Sequence, residues 1–335
     1  MNRTRIAIAA LALLTSGVVG CAAQETARPP AAPALSSDET RTVESLRKVD
    51  DHPLWTMTFH GDYDPMDVAG PTLTPTTFGC SLFAARGNPA DPLFGRNFDF
   101  DHQPALLLFT DAPDSHASVS MVDVSYLGLT SGEDFETEEG RRLLLDAPLL
   151  PFDGMNDKGL VVGMATVPNA EATPVAGRPV VGSVRIQRMM LDRAATVDEA
   201  IKVFGEYAVD FSDSPPLHYM IADASGDSAI LEFVDGELQV SRDSSPWQAM
   251  VNYRWFGSTP EQQQADYRYR ALSETLNGTG GKLDTTAAMR LLADVQQGHT
   301  QWSIVYGQRS GEVTLTTGKR FEKVHEFRLP MDLAS

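Results

Sequence analysis

The chain has 335 residues, 42% of them hydrophobic, and carries a formal net charge of −18. This apolar content is ample for a packed core, and the length suits one large or two small domains. An acidic chain repels phosphate backbones and anionic headgroups, which argues against nucleic acid as a partner and against membrane binding through surface charge.

The N-terminus has the three-part layout of an export signal: Arg3 and Arg5, an apolar run over 6–14, then small residues up to Gly20. The run is too short to span a bilayer. Val18, Val19 and Gly20 precede Cys21 in an order that resembles a bacterial lipobox, where the cysteine is lipidated and becomes the mature N-terminus. The plainer alternative is a cleaved signal with a cysteine beside it by chance. The lipobox reading makes 1–20 a lipoprotein signal peptide and predicts export. The protein would then be held by lipid on Cys21, on the outer side of the cytoplasmic membrane or in the cell envelope. Residues 21–40 are dominated by Ala, Pro, Ser and Thr, which have little to bury, so a flexible tether is expected. Beyond it, 41–49 is charged and helical in character, and 54–60 alternates like a strand, with Trp55 and Phe59 offering an apolar face.

Cys80, the second of the two cysteines, opens a hairpin. Residues 80–85 form a short apolar strand, 86–92 are dense in turn formers, and 93–100 form the return strand. A turn centred near Asn88 and Pro89 places Cys80 opposite a position between Asn97 and Asp99. A thiol then meets Arg96 and Asp99 across the hairpin. Taken alone, the pattern reads better as a half-buried cysteine beside a surface ion pair of Arg96 and Asp99.

Further on, periodicity predicts helices at 184–193 and 197–204, the second with Thr196 and Glu199 as a capping box. A meander of strands follows at 217–223, 228–234 and 238–242. Helices at 260–276 and 286–295 and strands at 302–306 and 312–316 complete the set. Met189 and Met190 read as core, and His218 as a structural histidine. The seven histidines show no metal-ligand spacing, so no metal site is expected. There is no serine nucleophile elbow, no phosphate-cradling glycine loop and no internal repeat. These elements define an α+β fold with a large antiparallel component.

Five segments in register carry a family resemblance: Gly79-Cys80-Ser81; Gly95-Arg96-Asn97-Phe98-Asp99; Asp153-Gly154-Met155-Asn156-Asp157-Lys158-Gly159-Leu160; His218-Tyr219-Met220-Ile221-Ala222-Asp223 with Gly226; and Val251-Asn252. Over roughly residues 79 to 310 the chain resembles the linear amide hydrolases with an N-terminal cysteine nucleophile. That group includes choloylglycine hydrolases, penicillin V acylases and relatives of isopenicillin N acyltransferase. The resemblance implies a four-layer αββα sandwich of two stacked antiparallel sheets, with no cofactor. It also implies autoproteolysis between Gly79 and Cys80, followed by amide cleavage through a thioester at Cys80. The freed α-amine, of ordinary pKa about 7.7 to 8.0, lies on the same residue as the thiol and takes its proton.

By the same resemblance, Asp99 holds that amine, Arg96 favours the thiolate, and Asn252 supplies an oxyanion donor. Thr166 falls where bile-salt hydrolases carry a second asparagine, a departure from the pattern. A last site arginine falls in Tyr267-Arg268-Tyr269-Arg270, with Arg268 favoured over Arg270. Because Arg96 and Asp99 differ by three positions, a regular strand points them to opposite faces, and a bulge or strong twist near Gly95 is predicted to bring them together. Residues 41–79 are propeptide-like and 80–335 form the catalytic domain; 21–79 is expected to stay docked after cleavage. The expected substrate is a small N-acyl amide, its identity depending on loops such as 101–118 and 167–179. The alternatives are an acyltransferase using the same thioester and a catalytically inactive substrate-binding lipoprotein. The oligomeric state is not legible.

Overall fold

A nine-stranded and a six-stranded sheet carry the architecture of the computed structural model, which describes residues 33–66, 79–101, 104–212 and 214–333. The signal peptide, Cys21, most of the tether and residues 67–78 lie outside the described residues. The larger sheet runs Arg47–Asp50, Leu54–Thr58, Ala105–Thr110, Ser118–Asp123, Asp153–Asn156, Val161–Thr166, Leu217–Ala222, Ser228–Val234, Glu237–Arg242. Its pairings are antiparallel except that of Leu54–Thr58 with Ala105–Thr110. The smaller sheet runs Trp247–Met250, Gly79–Ala85, Leu93–Asp99, Thr300–Gly307, Glu312–Thr317, His325–Arg328, antiparallel throughout. Helices Ile186–Arg193 and Val197–Gly205 cover the larger sheet, and Tyr267–Thr279 and Thr285–Asp294 cover the smaller. This is the αββα sandwich that the resemblance implied.

The two sheets meet closely. A Cβ on Gly163 would lie 2.7 Å from the Leu82 side chain on the opposite sheet, so Leu82 faces the space between the sheets. Strand side chains alternate, so Cys80, Arg96 and Phe98 face that space too, whereas Gly79, Asn97 and Asp99 face the helices. Asn97 bears this out by donating to the Leu292 carbonyl of Thr285–Asp294 at 2.8 Å. Leu82, Phe94, Met220, Ile230 and Ile304 are fully buried, each side chain contributing roughly 1.5–3 kcal/mol. Charged groups inserted into such a layer need dedicated partners.

Hairpin register agrees with expectation: Cys80 pairs with Phe98, between Asn97 and Asp99. The bulge expected near Gly95 is absent, because pairing runs unbroken from Gly79 opposite Asp99 to Ala85 opposite Leu93. Gly95 is glycine for another reason. A Cβ there would lie 2.3 Å from the Phe83 ring of the neighbouring strand. The irregularity sits instead on the other side of this strand, between Thr300 and Trp302.

The single helix expected over 260–276 is two, Pro260–Ala265 and Tyr267–Thr279. Asp266 is extended between them, and its carboxylate accepts from Arg268 N and Tyr269 N, starting a new helix. The capping box at Thr196 and Glu199 is present, pairing N–H groups that a helix start otherwise leaves open.

Helical character near 41–49 resolves into helix Ser37–Glu44, capped by Ser36 and Glu39, followed by strand Arg47–Asp50. These residues are built into the sheet. Trp55 stacks on Phe135 with ring centroids 4.5 Å apart. Tyr63 donates to Asp192 at 2.8 Å and accepts from the fully buried Arg188 at 3.1 Å. Buried Asp50 meets Arg320, Lys323 and His325 at 2.9, 3.1 and 2.8 Å. Burial alone would raise the Asp50 pKa; the His52 N–H and these three side chains outweigh it and hold the carboxyl far below its usual range.

Candidate active site at Cys80

Cys80 is fully buried near the start of its strand, and its two reactive atoms look toward different layers. On the inter-sheet side the Arg96 guanidinium donates to Sγ at 3.2 Å. Arg96 is itself fully buried, donates to Asp153 at 2.7 Å and to the Phe152 carbonyl, and lies 5.1 Å over the Phe98 ring. Asp153 also accepts from Trp302 Nε1 at 3.0 Å and Tyr306 OH at 2.5 Å. A buried charge with this many donors is compensated rather than stranded. Burial works against the Arg96 charge, but Cys80 and Asp153 outweigh it and its pKa rises. Burial pushes the Cys80 thiol up to about 11, against the pull of Arg96 toward the thiolate. In the uncut chain this thiol is therefore protonated at neutral pH.

The nitrogen side is built from different elements. Cys80 N donates to Asn252 Oδ1 at 2.8 Å, and Asn252 follows strand Trp247–Met250, which pairs with the Cys80 strand. Arg268 reaches in from the second position of helix Tyr267–Thr279, donating to Asn252 Oδ1 at 2.9 Å and to the Cys80 carbonyl at 3.0 Å. Asp266 fixes it at 2.9 Å. Asp99 lies against the Gly79–Cys80 bond: a Cβ on Gly79 would stand 3.1 Å from Asp99 Oδ2. A side chain at 79 would thus crowd the carboxylate by a few tenths of an ångström. Asp99 Oδ1 accepts from Thr300 at 2.5 Å, and Oδ2 lies 3.9 Å from Arg268. Burial raises the Asp99 pKa, offset in part by the Thr300 hydroxyl and the Arg268 charge.

Arg96 and Asp99 do point to opposite faces. No bulge brings them together: Arg96 contacts the sulfur and Asp99 lies beside Gly79. Thr166 ends its strand next to Asn252, whose Nδ2 donates to the Thr166 carbonyl at 2.9 Å and hydroxyl at 3.0 Å. Arg268 is at the site; Arg270 is exposed and donates to the Gln264 carbonyl at 2.9 Å. Asp153 heads one of the motif segments but was given no role, and Trp302, Tyr306, Thr300 and Asp266 were not singled out from sequence. The alternation of Trp302 and Tyr306 along one strand is the signal that was there, two aromatic residues with polar tips on one face. Among the described residues no cluster of His, Cys, Asp and Glu is arranged to hold a metal.

The arrangement suits a nucleophile whose base is its own amine, and known proteins resemble this chain in sequence and fold. Linear amide C–N hydrolases of the choloylglycine hydrolase family match residues 80–290. Penicillin V acylase of Pectobacterium atrosepticum is 26% identical over 178 residues, 49% of this chain and 46% of that protein. The chain thus spans about half the length of this curated relative. Conjugated bile acid hydrolase from Clostridium perfringens, solved as a mutant, superposes with a TM-score of 0.56 at 14% identity, over 75% of this chain and 92% of that one. Penicillin V acylase from Agrobacterium tumefaciens gives 0.51 at 19% identity, over 71% and 83%. At such identities the solved structures speak for the fold. The sequence match runs from Cys80 past Asn252 and Arg268, and on it the chain belongs to the choloylglycine hydrolase family of linear amide C–N hydrolases.

Proposed function

We propose that the protein is an exported hydrolase of N-acyl amides, anchored through lipid on Cys21 and activated by cleavage between Gly79 and Cys80. The observation that carries this reading is the division of partners around one residue. Arg96 sits on the Cys80 sulfur and Asn252 on its nitrogen, while the Asp99 carboxylate lies beside Gly79, on the other side of the bond to be cut.

Cleavage turns the Cys80 peptide nitrogen into an α-amine beside Asp99. The amine takes the thiol proton, Arg96 stabilises the thiolate, and sulfur attacks the amide carbonyl carbon. The tetrahedral oxyanion is met by the Asn252 side-chain amide once it turns from Thr166; losing such a donor costs about two to three orders of magnitude in rate. The carbon–nitrogen bond then breaks, the leaving amine takes the proton back from the Cys80 ammonium, and an acyl thioester remains. Water attacks the thioester, giving its proton to the Cys80 amine, and the acid leaves as the thiol re-forms. The strand pairing, the Trp55 stack and the Asp50 and Arg188 contacts support retention of the N-terminal piece after the cut.

Intact-mass measurement of protein expressed without its signal tests the reading, together with turnover of a panel of chromogenic N-acyl amides of graded chain length. The expected result is a mass break before Cys80 with amide turnover, and loss of both in Cys80→Ala. Uncut wild-type protein that turns over no amide refutes it.

A further inference from the structure

Two ionisable side chains lie deep between the sheets with no part in the chemistry above. His218 and Glu232 are both fully buried, on adjacent strands whose register sets Tyr219 opposite Leu231, and His218 Nδ1 lies 3.1 Å from Glu232 Oε2. Net stability does not account for them, since a buried polar pair is commonly no more stabilising than apolar side chains of the same volume. What Glu232 touches is informative. Its Oε2 accepts from Trp255 N at 2.8 Å and its Oε1 from Phe256 N at 3.3 Å, and Arg254 Nε lies 3.7 Å from Oε1. All three residues belong to the irregular segment that begins just after Met250 and carries Asn252.

We infer that Glu232, oriented by His218, is a positioning residue that sets Asn252 against Cys80. Backbone N–H groups in a segment without a strand partner must be paired when buried. Here one carboxylate pairs two of them, three and four residues after Asn252. The Asn252 amide has narrow tolerance: its Oδ1 accepts at once from Cys80 N at 2.8 Å and Arg268 at 2.9 Å. Displacement of a catalytic group by about 1 Å costs on the order of 100-fold in rate. His218 holds Glu232 by one side, leaving the two oxygens turned toward Trp255 and Phe256. The pair therefore connects the meander strands to the nucleophile through the Asn252 segment.

This inference rests on the hydrolase reading, and the experiment separates the two. Steady-state kinetics on an N-acyl amide that wild type turns over are compared for Glu232→Gln, His218→Gln and Gln248→Leu. Gln248 is a buried polar residue of the same inter-sheet layer, bonded to Ser228 at 2.6 Å. Glu232→Gln keeps size but offers one acceptor in place of two; kcat is expected to fall at least ~10-fold with KM within about threefold. His218→Gln is expected to lose less kcat, about three- to tenfold. Gln248→Leu is expected to change the melting temperature and leave kcat alone. Folded Glu232→Gln with wild-type kcat overturns the inference, as does wild-type kcat in His218→Gln should Glu232→Gln fail to fold. Wild type that cleaves no amide refutes the hydrolase reading and the positioning role together.

Discussion

Replacing Arg96 by methionine removes a guanidinium from the thiol and keeps much of its volume. Two unit charges separated by the 3.2 Å between Arg96 Nη2 and Cys80 Sγ interact by about 5 kcal/mol at an effective dielectric of about 20. Arg96 and Cys80 are both fully buried, so solvent does little to weaken the interaction. Each pKa unit corresponds to about 1.4 kcal/mol, and allowing for water entering the vacated space, a shift of at least ~2 units is expected. The sign is fixed by charge: a cation beside the sulfur favours the thiolate, so its removal raises the thiol pKa. The acid limb of the kcat/KM profile should move to higher pH by that amount, and at a pH below it the rate should fall about 100-fold. Thiolate ultraviolet absorbance across a pH titration gives the same shift without turnover. An acid limb and titration that coincide with wild type would refute the electrostatic argument. Stability supplies a second arm. Arg96→Met leaves Asp153 without its cation, and removing one partner of a buried pair costs about 3–5 kcal/mol. Arg96→Met with Asp153→Asn should lose less than the sum of the single changes.

The helix that carries two arginines gives a paired prediction. Arg268→Ala loses the contacts to Cys80 O and Asn252 and should cost at least ~100-fold in kcat/KM, whereas Arg270→Ala, exposed, should stay within about threefold; equal effects would show that the contacts at Cys80 are not functional. Asp50 gives the pH dependence. Its folded pKa is depressed, so its contribution is complete above the ordinary aspartate pKa of about 3.9 and is lost as pH falls below it. After the cut, size exclusion should find both pieces together at neutral pH, with the N-terminal piece released on acidification; Asp50→Asn should release it at a higher pH. Co-elution unchanged by acid or by Asp50→Asn would show that the cluster does not retain the segment.

Local pattern made the hairpin legible. Turn formers between two apolar runs set Cys80 opposite Phe98, and the motif residues around it located Arg96, Asp99, Asn252 and Arg268. The Thr196 and Glu199 capping box was readable because a cap is decided within four residues. The break at Asp266 was missed because periodicity runs straight through it, and only the side chain's turn back onto Arg268 N and Tyr269 N stops one helix and starts the next. Asp153, Trp302 and Tyr306 were missed for a different reason. Asp153 heads a motif segment but becomes the partner of Arg96, with Trp302 and Tyr306 donating to it, only when the sheets stack.

What the sequence determined by itself is the order of most strands and turns, because turn chemistry and alternation are local, and the candidate site residues through the motifs of the family it resembles. Which face each group serves was decided by the tertiary structure. The pleat sends the Cys80 sulfur and Arg96 into the space between the sheets and Asp99 toward the helices, so the supposed conflict between Arg96 and Asp99 disappears without a bulge. Sheet stacking also brings Glu232 to the segment that carries Asn252, and parallel pairing with Ala105–Thr110 joins the N-terminal strands to the body. Those contacts join residues far apart in the chain, and no local spacing records them.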